Sequence, residues 1–303
     1  MIGILNVYKE ADMTSFDVVA IVRRVLGTRR VGHIGTLDPM ATGVLPVLIG
    51  KATRLSEYFD EGEKEYVFTM RFGEETDTLD STGSVVFRSE KTNVTQEELL
   101  FQVERFVGTF QQQTPLYSAV KVKGRKLYEY ARKGISVERP MRTITVSALT
   151  LEKMAARGAV FRCRCSKGTY IRQLIADMGR ALGTYATMTA LERTMVGEFT
   201  AAKAVPISKL KGLSSAEAAK YIEPADVALL HIPEIILDAK QAERASQGQV
   251  VALSQNGEYL AEKERFHLPP GEKKLVRVYE ATQFLGVGLC CQERLKMKKM
   301  LAE

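Results

Sequence analysis

Hydrophobic positions along the chain switch between two periods. Over residues 14–26, Phe16, Val19, Val22 and Leu26 recur at three- and four-residue spacing, which predicts one apolar stripe of a helix. Thr14 with Asp17 fits a capping box at its start, and Gly27 a stop at its end. A second helix is expected over 96–107, capped by Thr95 with Glu98. A third runs from 170 to 182, where Ile171, Leu174, Ile175, Met178 and Leu182 share a face before Gly183. Elsewhere the period is two. Tyr66, Phe68, Met70 and Phe72 alternate with Glu65, Thr69 and Arg71, the pattern of a strand with one buried face. Residues 44–49 are continuously apolar, as in a strand covered on both sides, and 52–59 suit a short helix. Two further strands are expected within 143–165, separated by Ala155-Ala156-Arg157-Gly158. Helices and strands interleave without the regular rhythm of βαβ units, so the expected class is α+β with a mixed, largely antiparallel sheet.

Past residue 206 the pattern shortens, with prolines at 206, 224 and 233. Segments 249–253, 274–279 and 284–289 then read as strands of a small β-rich domain. The expected organisation is a large domain over 1–230 and a small one over 231–303.

Composition narrows the class without fixing it. The chain has 303 residues, 45% hydrophobic and 26% charged, ordinary for a globular protein with a sizeable core. No apolar run approaches the ~20 residues of a membrane span. Residues 1–7 carry neither a basic leader nor a small-residue cleavage site, so no secretory signal is expected and the cytoplasm is the expected location. Cys163 and Cys165 alternate with arginines as buried strand residues do; with Cys290 and Cys291 they lack zinc-site spacing. The histidines are His33, His231 and His267, and no metal site is expected.

Charge is more telling in its distribution than in its total of +7. Segment 121–142 holds Lys121, Lys123, Arg125, Lys126, Arg132, Lys133, Arg139 and Arg142 against Glu129 and Glu138, a net of +6. Tyr117, Tyr128 and Tyr130 lie beside or within it. A solvated basic face would have the same composition, but cations mixed with flat rings suit phosphates and unstacked bases.

The chemistry concentrates in Gly32-His33-Ile34-Gly35-Thr36-Leu37-Asp38-Pro39-Met40-Ala41-Thr42-Gly43. Glycines permit positive φ and Pro39 fixes the residue after the acid, so the segment reads as a shaped loop presenting Asp38 before a buried strand. Such a loop can hold a nucleophile or base; it also suits an ordinary turn with an Asx contact. Read locally, Tyr66 is a core aromatic, Arg172 a surface arginine near the start of its helix, and Leu191 a core residue. His33 reads locally as a turn residue, with no carboxylate or cysteine spaced to make a nucleophilic dyad.

This loop resembles the catalytic loop of the bacterial tRNA pseudouridine-55 synthases, the TruB family. Lys64-Glu65-Tyr66, Thr76-Asp77-Thr78, Tyr117-Ser118-Ala119-Val120-Lys121, Ser166-Lys167-Gly168-Thr169-Tyr170-Ile171-Arg172 and Arg193-Thr194-Met195-Val196-Gly197 resemble the same family in the same order. The resemblance implies a cofactor-free isomerase that flips uridine 55 of the tRNA T-loop out of its stack and converts it to pseudouridine. It implies Asp38 as nucleophile, Arg172 as its counter-ion, and Tyr66 and Tyr170 against the base. Leu191 would form the pocket wall, and His33 would support the RNA loop after the base leaves. Lys121, Lys123, Arg125, Lys126, Arg132 and Lys133 form the expected RNA patch, tRNA the partner, and a monomer without obligate protein partner the working form. A PUA-like RNA-binding domain is implied at the C-terminus, and an additional role in tRNA folding is compatible with the same residues. Two departures stand out. The family's Lys-Pro-x-Gly-x-Thr-Ser is here Lys9-Glu10-Ala11-Asp12-Met13-Thr14-Ser15, and its paired prolines before Ser118 are Pro115-Leu116. Both bear on loops near the RNA and weaken the case for Lys9 as a functional contact.

Overall fold

The computed structural model describes residues 1–59, 62–253 and 272–301. The first helix forms where expected, after a strand that the sequence reading did not anticipate. Strand β1 (Gly3–Lys9) leads into helix α1 (Ser15–Leu26), which begins at a complete Thr14–Asp17 capping box and ends at Gly27 in the left-handed conformation. The buried stripe is rotated from the expected one. It consists of Ser15, Val18, Val19, Val22 and Leu26, while Phe16 stands exposed. The phase is set at the first turn, where the Ser15 hydroxyl turns inward to bond the backbone of Leu37.

Strand β2 (Val31–His33) precedes the glycine-rich loop, and β3 (Thr42–Ile49) follows it. Residues 50–55 make a 3-10 turn rather than an α-helix at 52–59. Strand β4 (Lys64–Phe72) buries Tyr66, Phe68, Met70 and Phe72, as its alternation requires. A small hairpin, β5 (Glu74–Thr76) and β6 (Val85–Arg88), leads to α2 (Gln96–Val103). Helix α2 has the predicted Thr95–Glu98 box but gives way at Glu104 to a 3-10 turn. Strand β7 (Gly108–Gln113) is followed by hairpin β8 (Lys121–Val122) and β9 (Arg125–Lys126), then α3 (Leu127–Arg132). The two expected strands of 143–165 are β10 (Met141–Ala155) and β11 (Gly158–Cys165). Helix α4 (Ile171–Ala181) and β12 (Ala186–Val196) complete the framework.

One sheet carries these strands in the order β1-β3-β12-β4-β11-β10-β7, with Val205–Pro206 added outside β1. The β12–β3 contact and the Val205–Pro206 addition are parallel, and the other pairs on this path are antiparallel. The fold is therefore α+β with a mixed, largely antiparallel sheet. Its main core lies where β4, β11 and β12 meet α4, with Phe68 stacked on Phe161 at 5.5 Å. Each large side chain fully buried there contributes roughly 1.5–3 kcal/mol. Cys163 and Cys165 are buried and unbridged, while Arg162 and Arg164 on the opposite face both grip Glu65, at 2.7 and 2.8 Å.

A C-terminal five-stranded sheet runs Glu234–Leu237, Lys274–Glu280, Gln283–Cys291, Arg294–Met300, Val251–Ala252, with helix Ala239–Ser246 against it. The expected strand at 249–253 shrinks to Val251–Ala252, and Val250 is exposed. The flanking strands Glu234–Leu237 and Arg294–Met300 were not anticipated. In the latter, lysines and arginine alternate with Leu295 and Met297, a legible period of two. Val287 and Leu301 of this β-rich domain pack in one apolar cluster with Ile4, Leu48 and Leu229. His267 lies outside the described residues. Among the described residues no helix is long and apolar enough to cross a membrane.

Candidate active site

Asp38 sits in a turn closed by the Ala41 N–H on its own carbonyl at 3.1 Å. Three side chains remote in sequence hold this loop. Lys9, fully buried in β1, donates through Nζ to the carbonyls of Pro39 (2.9 Å), Ala41 (2.6 Å) and Glu10 (2.9 Å). Arg193, also fully buried, donates to Gly35 O (2.7 Å) and Val44 O (2.8 Å) on either side of the acid. The Ser15 hydroxyl accepts from the Leu37 N–H at 3.0 Å. Buried carbonyls need donors, and these clamps supply them while leaving the Asp38 carboxylate free of the loop. Burial pushes the Lys9 amine down to about 8, although Asp38 nearby favours its charge. Lys9, for which the sequence made only a weak case, thus holds two carbonyls of this loop through its buried ammonium.

The carboxylate is taken instead by Arg172, from the first turn of α4. Nε donates to Oδ2 at 2.9 Å and Nη2 to Oδ1 at 3.2 Å, a bidentate grip. The remaining N–H groups reach Thr78 O (2.8 Å) and Tyr117 O (3.0 Å), and Asp80 Oδ2 lies 3.8 Å from Nη1. Arg172 is not the surface residue its local sequence suggests; its side chain is 6% exposed against 36% for Asp38. Asp80 is buried beside it and also accepts from Thr78 and Thr82. The result is an immobilised guanidinium with two acids, of which Asp38 is the more exposed.

That space is a cleft of about 1100 Å³. Asp38, Tyr66, Tyr170, Leu191 and Arg172 all line it. Tyr66 and Leu191 reach it from adjacent strands β4 and β12. Tyr170 caps α4, and Gln112 of β7 secures its backbone at both ends, accepting from its N–H (2.9 Å) and donating to its carbonyl (3.1 Å). The buried Ser118 hydroxyl has no hydrogen-bond partner and lies at the cleft.

His33 is not part of the cleft wall. It bonds Thr36 at 3.0 Å and meets Phe16 edge-on at 5.4 Å, and both of those residues do line the cleft. Burial, reinforced by Arg193, holds its imidazole below the usual 6.5, so the ring is neutral at pH 7. Of the six basic-patch residues, Arg132 reaches the cleft, together with Arg142 and Lys167. Arg132 and Lys126 flank the ring of Tyr128, at 5.4 and 5.5 Å. Lys121, Lys123, Arg125, Lys126 and Lys133 continue the basic surface outward along the β8–β9 hairpin and the end of α3. Lys9 was discounted, and Gln112, Asp80 and Arg193 were not singled out, because each acts through backbone or another side chain and nothing local marks a clamp. Among the described residues no group of three or more His, Cys, Asp or Glu side chains is placed to hold a metal.

Residues 23–171 match the model of the TruB family pseudouridylate synthase N-terminal domain. Residues 172–230 match the tRNA pseudouridylate synthase B C-terminal domain, and 233–301 the pseudouridine synthase II TruB C-terminal region. The chain is 41% identical to tRNA pseudouridine synthase B of Clostridium perfringens strain 13 over 305 residues, covering 100% of both. It is 38% identical to that of Alkaliphilus oremlandii over 293 residues, covering 97% of this chain and 94% of the other. A Cbf5-Nop10-Gar1 complex contains a similar chain, with TM-score 0.68, 26% identity and coverage of 99% and 84%. An H/ACA RNP bound to a substrate RNA containing 2′-deoxyuridine contains another, with TM-score 0.70, 22% identity and coverage of 99% and 85%.

Proposed function

Because the chain belongs to the TruB family of pseudouridylate synthases, we propose that it converts uridine 55 in the T-loop of tRNA to pseudouridine, with Asp38 as the reacting carboxylate. The observation that carries this reading is the bidentate Asp38–Arg172 pair at the floor of a cleft walled by Tyr66, Tyr170 and Leu191. The reaction breaks the N1–C1′ bond, turns the uracil, forms C5–C1′ and releases the C5 proton while N1 takes one up, an isomerisation in which nothing is oxidised. It requires an ionised group pressed against a desolvated nucleoside. The fixed guanidinium gives Asp38 a counter-charge and two hydrogen bonds in a planar fork. The Tyr66 ring packs on the uracil and offers a hydroxyl for proton transfer, while Tyr170 and Leu191 hold the opposite side and edge.

A stacked uridine cannot reach this floor, so the base is flipped into the cleft. His33, neutral and at the rim, supports the loop that the base has left. Arg132, Lys121, Lys123, Arg125, Lys126 and Lys133 track the phosphates. We assign residues 1–230 to catalysis and 231–303 to a PUA-like RNA-binding domain, a division supported by the separate C-terminal sheet. The protein acts in the cytoplasm as a monomer on tRNA alone.

The test is tritium release from an unmodified tRNA transcript labelled at uridine C5, run beside Asp38→Asn. Release of about one equivalent per tRNA, mapped to the T-loop and lost in the variant, is expected. Tight binding without release would overturn the assignment and leave an RNA-folding role. Release that persists in Asp38→Asn would remove Asp38 from the chemistry.

A further inference from the structure

Phe16 keeps 73% of its surface in solvent although it borders the cleft. Helix α1 has no structural use for it there. The buried stripe is complete through Ser15, Val18, Val19, Val22 and Leu26, and the capping box is complete through Thr14 and Asp17. The Phe16 ring meets His33 at a centroid distance of 5.4 Å and an interplanar angle of 84°. A perpendicular contact of this kind leaves at least one face of each ring uncovered. The His33 side of the contact is itself fixed, by the Thr36 hydroxyl at 3.0 Å, so the pair is positioned rather than loose. The cleft is larger than a single nucleoside needs, since about 1100 Å³ exceeds the range typical of drug-sized ligands. Arg132, Arg142 and Lys167 line it and supply cations for a backbone that carries more than one nucleotide inside. Flat apolar rings beside such cations are the composition of a stacking platform for unpaired bases.

We propose that Phe16 stacks an unpaired nucleobase of the RNA loop other than the target uridine, held at the proper tilt by its edge contact with His33. The inference rests on the RNA-modifying reading above. It makes Phe16 a substrate-positioning residue, distinct from Asp38 and Tyr66, whose contribution falls on binding of the loop.

The experiment compares wild type with Phe16→Ala, Phe16→Leu and Phe16→Tyr in the full chain. The substrate is a C5-tritiated stem-loop, intact or carrying one abasic site at each loop position in turn. Phe16→Ala is expected to raise KM about thirty-fold, the middle of the range for loss of one base–aromatic stack. Phe16→Tyr restores the wild-type KM, and Phe16→Leu, apolar but without a π face, does not. At one abasic position the difference between wild type and Phe16→Ala disappears, which identifies the stacked base. The melting temperature of all three variants stays within a degree or two of wild type, since the ring is solvent-exposed. A Phe16→Ala KM equal to wild type, a Phe16→Leu that works as well as wild type, or a difference that survives every abasic loop would each overturn the proposal. Absence of turnover in wild type itself would overturn the functional reading, and this inference with it. With wild-type turnover present, those three outcomes count against Phe16 alone.

Discussion

At the level of single residues, the site is built to aim one acid into the cleft. Arg172 commits its N–H groups to Asp38, Thr78 and Tyr117, with Asp80 within ion-pair reach. Lysine at this position keeps the charge but not the fork, so Arg172→Lys is expected to lower kcat at least about 100-fold while tRNA affinity changes little. Single-turnover rates beside filter-binding affinity check this. Arg172→Met leaves Asp80 buried without its cation and Asp38 partly so. The expected loss is roughly 2–4 kcal/mol by urea unfolding, below the full cost for a buried pair because Asp38 is partly open to solvent. Lys9 gives a pH signature. Burial lowers its amine from the usual 10.5 to about 8, so between those values the unfolded chain binds more protons than the folded one. Its contribution to stability therefore rises as pH increases from about 8 to 10.5. Thermal melts across pH 7.5–10.5 should show that slope in wild type and its loss in Lys9→Met. Asp38 was singled out in advance through the family resemblance of its glycine-rich loop, since the loop read locally also suits an ordinary turn. Lys9 and Arg193 were not, because the carbonyls they hold lie some 30 and 150 residues away along the chain.

Among the elements, the start of β3 just after the Asp38 loop carries a glycine that alanine cannot replace. Gly43 has φ +105°, and a Cβ there would collide with the carbonyl of Arg193 on the neighbouring strand. Gly43→Ala thus forces β3 and β12 apart where Arg193 clamps the Asp38 loop. Backbone strain and the steric clash together should cost about 3 kcal/mol, with activity falling further than stability, measurable by denaturation and tritium release on the same sample. Capping boxes and buried faces of helices and strands were readable in the sequence, since each depends on residues within a turn or two of one another. Phase and length were read less well. The inward turn of Ser15 shifted the stripe of α1 and released Phe16, and the helix over 96–107 ended early at Glu104.

Across the molecule, charge is arranged as a basic surface leading from the β8–β9 hairpin to the cleft. If that surface tracks phosphates, Lys123→Glu with Arg125→Glu should weaken tRNA binding across sequences and reduce the slope of log affinity against log salt by about two. A titration from 50 to 200 mM salt measures it; an unchanged slope would mean the tRNA takes another route. Local and long-range information divide the protein between them. Helices α1 and α4, the strand alternation of β4 and the basic segment were legible in the order of residues, because period, capping and composition act over short range. The burial of Arg172 and its bidentate hold on Asp38 were not legible there. Nor were the clamps from Lys9, Ser15 and Arg193, or the place of His33 behind Phe16 rather than in the cleft wall. Those outcomes depend on which strands become neighbours, and pairing of β3 with β12 and β12 with β4 joins segments whose separation along the chain leaves no local trace.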